Sequence, residues 1–252
     1  MAVSTAYAAG STAIGTARQW LAAGVCDVVI AGGTESFMTP TTLTSLANMG
    51  AMSRRVDAPE RASRPFDADR DGFVAGEGAG ILVLERAADA RARGARIRAH
   101  VSGYGASADA HHPSAPDPGG AGAERAIRAA LADALIDPDE VAHVNAHGTS
   151  TPLNDVTEAR VIRRVFGERP AVTSTKGAIG HLIGAAGAVE AAYTVLAVQH
   201  GTVPPTANLD SQDPEIAVDV VAKDARALAI GAAVSNSFGF GGHNAVLVVT
   251  GA

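Results

Sequence analysis

Short apolar runs bounded by turn formers alternate along this chain with segments whose apolar positions recur every three or four residues. Residues 10–24 carry Ile14, Ala17, Trp20 and Leu21 at helical spacing and end on glycine, which predicts a helix. Residues 27–33, DVVIAGG, read as a fully buried strand. A second helix is expected over 39–46, a strand over 80–85, a short helix over 86–93 and a strand over 97–103. Residues 119–135 place Ile127, Leu131 and Leu135 four apart on one helical face, and Asp137-Pro138 breaks that helix. A strand over 142–147, a helix over 153–166, a strand over 171–173 and a long apolar helix over 181–199 follow. Strands over 227–235 and 244–250 close the chain. Residues 2–6 look like the end of a buried strand. Strands alternating with helices and ending in a hairpin predict an α/β protein layered α/β/α.

Residues 50–76 interrupt the pattern. They are irregular and rich in charge, with Arg54, Arg55, Asp57, Glu60, Arg61, Asp67, Asp69, Arg70 and Asp71. They read either as a long ordered loop or as plain solvated surface.

Composition narrows the function. The 252 residues are 47% hydrophobic but only 4% aromatic, so the core is built of Ala, Val and other small side chains. A net charge of −6 offers no basic face for nucleic acid or an anionic membrane. No apolar run reaches the length of a membrane span, and the first residues are not a signal peptide, so a cytoplasmic protein is expected. The single cysteine, Cys26, excludes an internal disulfide and reads as inert packing. The stretch GYGASA at 103–108 half-matches a dinucleotide fingerprint but lacks the strand-turn-helix unit and downstream acid. His111 and His112 have no further ligands at metal spacing. No metal or bound cofactor is expected.

Three segments combine into possible chemistry. His147 and the hydroxyls of Thr149, Ser150 and Thr151 follow one short apolar run. Lys176 and His181 follow another, and the loop Gly239-Phe240-Gly241-Gly242 separates the last two strands. Singly, each has a structural reading: a hydrogen-bonding histidine, a surface lysine, a tight turn. Together, two neutral imidazoles could donate to a carbonyl oxygen and stabilise enolate charge, with the lysine, held by a carboxylate, orienting one of them.

The chain resembles the β-ketoacyl-acyl-carrier-protein synthases, condensing enzymes of fatty-acid and polyketide synthesis with the thiolase fold, and most of all the type II elongating enzymes. The resemblance rests on NAHGTSTP at 145–152, Lys176 to His181, and GAAGAVE at 184–190. It also rests on RPFD at 64–67, GFVAGEG at 72–78, VPPTANL at 203–209 and NSFGFGG at 236–242. It implies that His147 and His181 promote malonyl decarboxylation and hold a thioester carbonyl. It implies further that Lys176 organises them through Asp155 or Glu158, with Glu190 supporting. Thr149 and Thr151 would bind the phosphopantetheine arm, which arrives on an acyl carrier protein. Phe240 would gate the site, with Gly239 and Gly241 in the moving loop and the Phe240 N–H in an oxyanion hole.

Two departures qualify this. The family's nucleophilic cysteine, in a small-residue elbow before a helix, corresponds here to Tyr7. A phenol, with a pKa of about 10 against about 8.5 for a thiol, is a poor nucleophile. The family's N-terminal half-fold, which precedes that elbow, is also expected to be missing. The chain then reads as one partial ketosynthase-like domain over 1–252. About 1–85 would be the end of the N-terminal repeat and about 95–252 the complete C-terminal repeat. An exposed sheet edge and face would follow, covered in a homodimer or in a heterodimer with a polypeptide carrying the other half. Residues 2–5 are candidates for the dimer contact. Three readings stay open: a condensing enzyme that has lost its nucleophile, a non-condensing partner subunit (chain-length, scaffold or malonyl decarboxylase), and an inactive interaction module.

Overall fold

The computed structural model describes all residues from Met1 to Ala252. In chain order its elements are α1 (Ala9–Ala22), β1 (Val28–Glu35), α2 (Pro40–Asn48), β2 (Gly78–Glu85), α3 (Ala87–Ala92), β3 (His100–Ala108), α4 (Ala121–Ala134) and β4 (Val141–Asn145). These are followed by α5 (Pro152–Phe166), β5 (Ala171–Thr173), α6 (Lys176–Ile179), α7 (Ala186–His200), β6 (Thr202–Val203), β7 (Arg226–Ala227), β8 (Ala232–Gly239) and β9 (His243–Thr250).

The central sheet has five strands in the order β3-β9-β8-β4-β5. β4 runs parallel to β5 and β8, whereas β9 is antiparallel to both β8 and β3. On one face α4 and α5 bury Ala126, Ile127, Ala159 and Ile162 against Val144, Val234 and Val248. On the other, Ile14 and Ala17 of α1 meet Ala188 and Ala191 of α7, Leu247 of β9 and Ala31 of β1. β1 and β2 form a separate antiparallel ribbon over those two helices, with Ile30 opposite Val83. The expected α/β/α layering is present, with the ribbon as an added layer.

Several elements differ from the sequence reading. β1 is not fully buried: Ile30 is 72% exposed, and Ile81 and Val83 of β2 are 59% and 66% exposed. The ribbon has one face on α1 and α7 and nothing on the other, and an apolar run alone cannot tell one covered face from two. Residues 103–108 continue β3 as regular strand, so the glycines there admit α4 at close range and form no phosphate loop. The apolar run at 181–199 is not one helix. α7 begins at Ala186, because Ile183 sits at φ +51° in a 3₁₀ turn. Residues 2–6 form no strand, only an isolated bridge between Thr5 and Tyr7. The last hairpin starts at Ala232 rather than 227, with 226–227 pairing with β6 instead.

The charged stretch at 50–76 is ordered, and part of it is core. Arg64, Asp67 and Arg70 are buried. Asp67 accepts from the Arg64 Nε–H at 3.0 Å and from the backbone N–H groups of Asp69, Asp210 and Ser211, each at 2.9 Å. Those bonds hold its carboxyl below the usual carboxylate range although burial opposes them. Arg70 Nη1–H reaches Asp213 at 2.7 Å. The segment crosses the turn after β4: Arg64 N–H donates to Ser150 Oγ at 3.0 Å, and Ser63 Oγ–H to the Lys176 carbonyl at 2.6 Å.

Candidate functional site

Four loops meet at a cavity of about 400 Å³ lined by Tyr7, His147, His181, Phe240, Thr149 and Thr151 among others. Tyr7 lies just before α1, in a turn closed by the Ala8 N–H on the Thr5 carbonyl at 3.0 Å, with Ala6 at φ +48°. That is a left-handed conformation, uncommon for a residue with a Cβ. The turn is pressed onto the end of β8: a Cβ on Gly239 would stand 2.9 Å from Tyr7 N and 3.0 Å from the Thr5 oxygen. Only glycine admits this approach without displacing backbone.

His147 follows β4 and is held by its backbone. Glu158, in the second turn of α5, accepts the N–H of His147 at 2.8 Å and of Gly148 at 2.7 Å, and Asn236 Nδ2–H at 3.0 Å. Burial raises the Glu158 pKa, and these donors oppose the rise. His181 is fixed by strand-like pairing with residues 74–76, its N–H donating to the Val74 carbonyl at 2.7 Å.

The imidazoles are 5.3 Å apart and nearly perpendicular. His181 Nδ1 accepts the Ile183 N–H at 3.1 Å, which puts the ring proton on Nε2; that atom is buried without a partner. Lys176 Nζ stands 3.5 Å from His147 Nδ1, so the cation faces the lone pair and the proton again belongs on Nε2. Burial pushes both histidine pKa values well below 6.5, and the Lys176 charge adds to it. Both rings are therefore neutral N–H donors on one cavity.

Lys176 is 1% exposed, not a surface residue. Its counter-ion is Glu190 of α7, equally buried, rather than the expected Asp155 or Glu158. Glu158 spends both oxygens on the β4 turn. Asp155 accepts the Phe66 N–H at 2.9 Å and Asn154 Nδ2–H at 3.1 Å, with the Arg70 Nε 3.6 Å away. Burial raises Asp155 to about 6 against the pull of its donors, and pushes Glu190 up while the adjacent Lys176 cation pulls it back down. Thr149 and Thr151 line the cavity and hydrogen-bond to each other at 2.9 Å.

Tyr7 packs edge-on to His181 with ring centroids 4.9 Å apart, and 4.6 Å from Phe240. Partial burial pushes its phenol up to about 12, so it is protonated at any ordinary pH. The 239–242 loop is tied to the one before α4: the Gly241 N–H donates to the Pro113 carbonyl at 2.7 Å, and Asn244 Nδ2–H to Asp109 Oδ1 at 2.7 Å.

The structure thus brings together Tyr7, His147, Lys176, His181, Phe240, Thr149 and Thr151, with Glu190 and Glu158 directly behind and Asp155 one layer further out. Sequence reasoning passed over Phe73, 5.6 Å from His181, and Phe238, 5.6 Å from His147. Both lie inside the motifs GFVAGEG and NSFGFGG. Asp109 had no such signal. No group of three or more His, Cys, Asp or Glu side chains comes together in a way that could hold a metal ion.

Comparison with known proteins gives a consistent result. The beta-ketoacyl synthase N-terminal domain matches residues 1–90 and the beta-ketoacyl synthase C-terminal domain residues 98–210. The 3-oxoacyl-[acyl-carrier-protein] synthase 2 of Synechocystis sp. is 51% identical over 246 residues, covering 96% of this chain. The enzyme of the same name from Rhizobium meliloti is 50% identical over 251 residues, covering 98%. The chain spans 59% of the length of each. Among solved structures, a beta-ketoacyl synthase from Burkholderia phymatum superposes with a TM-score of 0.96 at 41% identity, covering 99% of this chain and 61% of that one. A type II polyketide ketosynthase, in complex with its acyl-carrier protein and bound to a hexaketide, gives 0.97 at 35%, covering 99% and 62%. The ishigamide ketosynthase/chain length factor gives 0.94 at 40%, covering 100% and 60%.

Proposed function

The chain belongs to the β-ketoacyl synthase family of fatty-acid and polyketide synthesis and has its thiolase-like layered fold, and on that premise we propose that it binds a malonyl thioester and decarboxylates it without condensing it. The substrate arrives on the phosphopantetheine arm of a cytoplasmic acyl carrier protein, and no further cofactor takes part. The observation that carries this reading is the pair of neutral imidazoles, each with its proton on Nε2, on one cavity with the Tyr7 phenol.

The arm enters between Thr149 and Thr151 on one side and the Gly239–Gly241 loop on the other, with Phe240 at the gate. The thioester oxygen lies between the two Nε2–H groups. When the carboxylate leaves as carbon dioxide, the electrons of the broken C–C bond pass to that oxygen as an enolate. Donors already fixed in a dry pocket stabilise the new charge with little reorganisation. Lys176 keeps His147 in the donating tautomer, and Glu190 keeps the lysine in place. Acyl transfer fails because Tyr7, raised to about 12, yields almost no oxyanion at neutral pH.

A second reading, a non-catalytic chain-length or scaffold subunit, is favoured by the likeness to the ishigamide ketosynthase/chain length factor and by the residue at position 7. It leaves the buried Lys176–Glu190 pair and the two aligned donors without a task, so it ranks second. Intact-mass measurement after incubation with an acyl-carrier thioester tests the non-condensing half of the proposal. The wild type is expected to carry no adduct and Tyr7→Cys to gain one acyl group; a stable ester on Tyr7 would overturn it.

A further inference from the structure

Decarboxylation leaves an enolate whose carbon must take a proton before acetyl thioester can depart. Resting on the reading above, we propose that the Tyr7 hydroxyl is the donor of that proton, so that the side chain that abolishes condensation completes the decarboxylation.

In condensation the enolate carbon attacks an acyl group carried by the residue at this position. Whatever occupies position 7 therefore faces the nucleophilic carbon, and a hydroxyl there meets the carbanion where an acyl carbonyl otherwise would. The structure supports that assignment. Tyr7 shares the cavity wall with His147, His181 and Phe240. Its ring is fixed edge-on to His181 at 4.9 Å and against Phe240 at 4.6 Å. Its hydroxyl forms no hydrogen bond with the protein, unlike the neighbouring Thr149 and Thr151, which bond to each other. The two histidines share that wall. Both are neutral, and their Nε2–H groups are committed to the enolate oxygen, so neither serves the carbon.

The step balances. The C–C bond to the carboxylate breaks, carbon dioxide leaves, and the electron pair forms the enolate. The enolate carbon then takes the phenolic proton as the new C–H bond of the acetyl group. The phenolate recovers a proton from water, whose hydroxide is consumed by the released carbon dioxide as bicarbonate.

The test uses malonyl-carrier protein bearing tritium at C2 in one configuration, incubated in deuterium oxide, so that the product methyl carries H, D and T. A fixed donor delivers to one face. The wild type is expected to give one methyl configuration, and Tyr7→Phe, which keeps the packed ring, an equal mixture of both. An equal mixture from the wild type, or an unchanged single configuration from Tyr7→Phe, would overturn the assignment. Carbon dioxide is measured in the same reaction: release with a scrambled methyl removes only the role of Tyr7, whereas no release removes the decarboxylation it depends on.

Discussion

Lys176 and Glu190 are fully buried and opposite in charge, and each depends on the other for its charge to be tolerated. Removing one partner of such a pair strands an ion in a low-dielectric interior and costs about 3–5 kcal/mol. Lys176→Met is therefore expected to lower the urea midpoint sharply, and Lys176→Met/Glu190→Leu to recover much of the loss; equal damage from both would contradict the pairing. His143 makes a second prediction at this scale. It is buried, its Nδ1–H bonds to the Ala171 carbonyl at 2.8 Å, and burial pushes its pKa down to about 4 from 6.5. Because the folded value lies below the unfolded one, the unfolded chain binds the proton first. The stabilisation is complete above pH 6.5 and lost as pH falls toward 4, in all about 3 kcal/mol. Denaturant titrations from pH 7 to 4 should show His143→Gln losing less stability than the wild type. The sequence exposed His147, Lys176 and His181 through their motifs, but not which carboxylate serves the lysine. Asp155, Glu158 and Glu190 all lie on helices near the site, and the choice depends on how α5 and α7 face it.

The α1–α7 contact sets the spacing between the Tyr7 turn and the loop bearing His181. A Cβ on Gly10 would stand 2.5 Å from the Ala188 backbone N and 3.1 Å from its Cβ. Neither atom is the end of a flexible side chain, so Gly10→Ala must push the helices apart. Overpacking of this kind costs about 1–3 kcal/mol, and a thermal melt should show it, with a larger ring separation between Tyr7 and His181 in a crystal structure. Unchanged stability would mean that the helices slide freely. Amphipathic elements such as α4 were legible, since one polar face marks the period. α7 has Ala and Val on nearly every side, so periodicity could mark neither its start nor its facing. The positive φ of Ile183 that delays it has no sequence signal, because β-branched residues are poor candidates for that conformation.

At the scale of the molecule, the face of the β1–β2 ribbon opposite α1 and α7 is apolar and open, with Val28, Ile30, Ile81 and Val83 all more than half exposed. Contiguous apolar surface of this sort binds hydrophobic dyes. The native chain is expected to enhance the fluorescence of such a dye, and Ile30→Ser/Val83→Ser to reduce the signal without lowering the melting temperature. A native chain silent toward the dye would show the face to be covered. The layered α/β architecture was legible because apolar runs and helical periods alternate cleanly. The burial of the 64–70 segment was not, since arginines and aspartates read as surface until Asp155, Asp210 and Asp213 are brought round to meet them.

Release of carbon dioxide from malonyl-carrier protein, compared between the wild type and His181→Ala, bears most directly on the paired-imidazole account. The account predicts turnover by the wild type and a loss of about a hundredfold or more when one preorganised donor is removed. Equal release by the two proteins would contradict it.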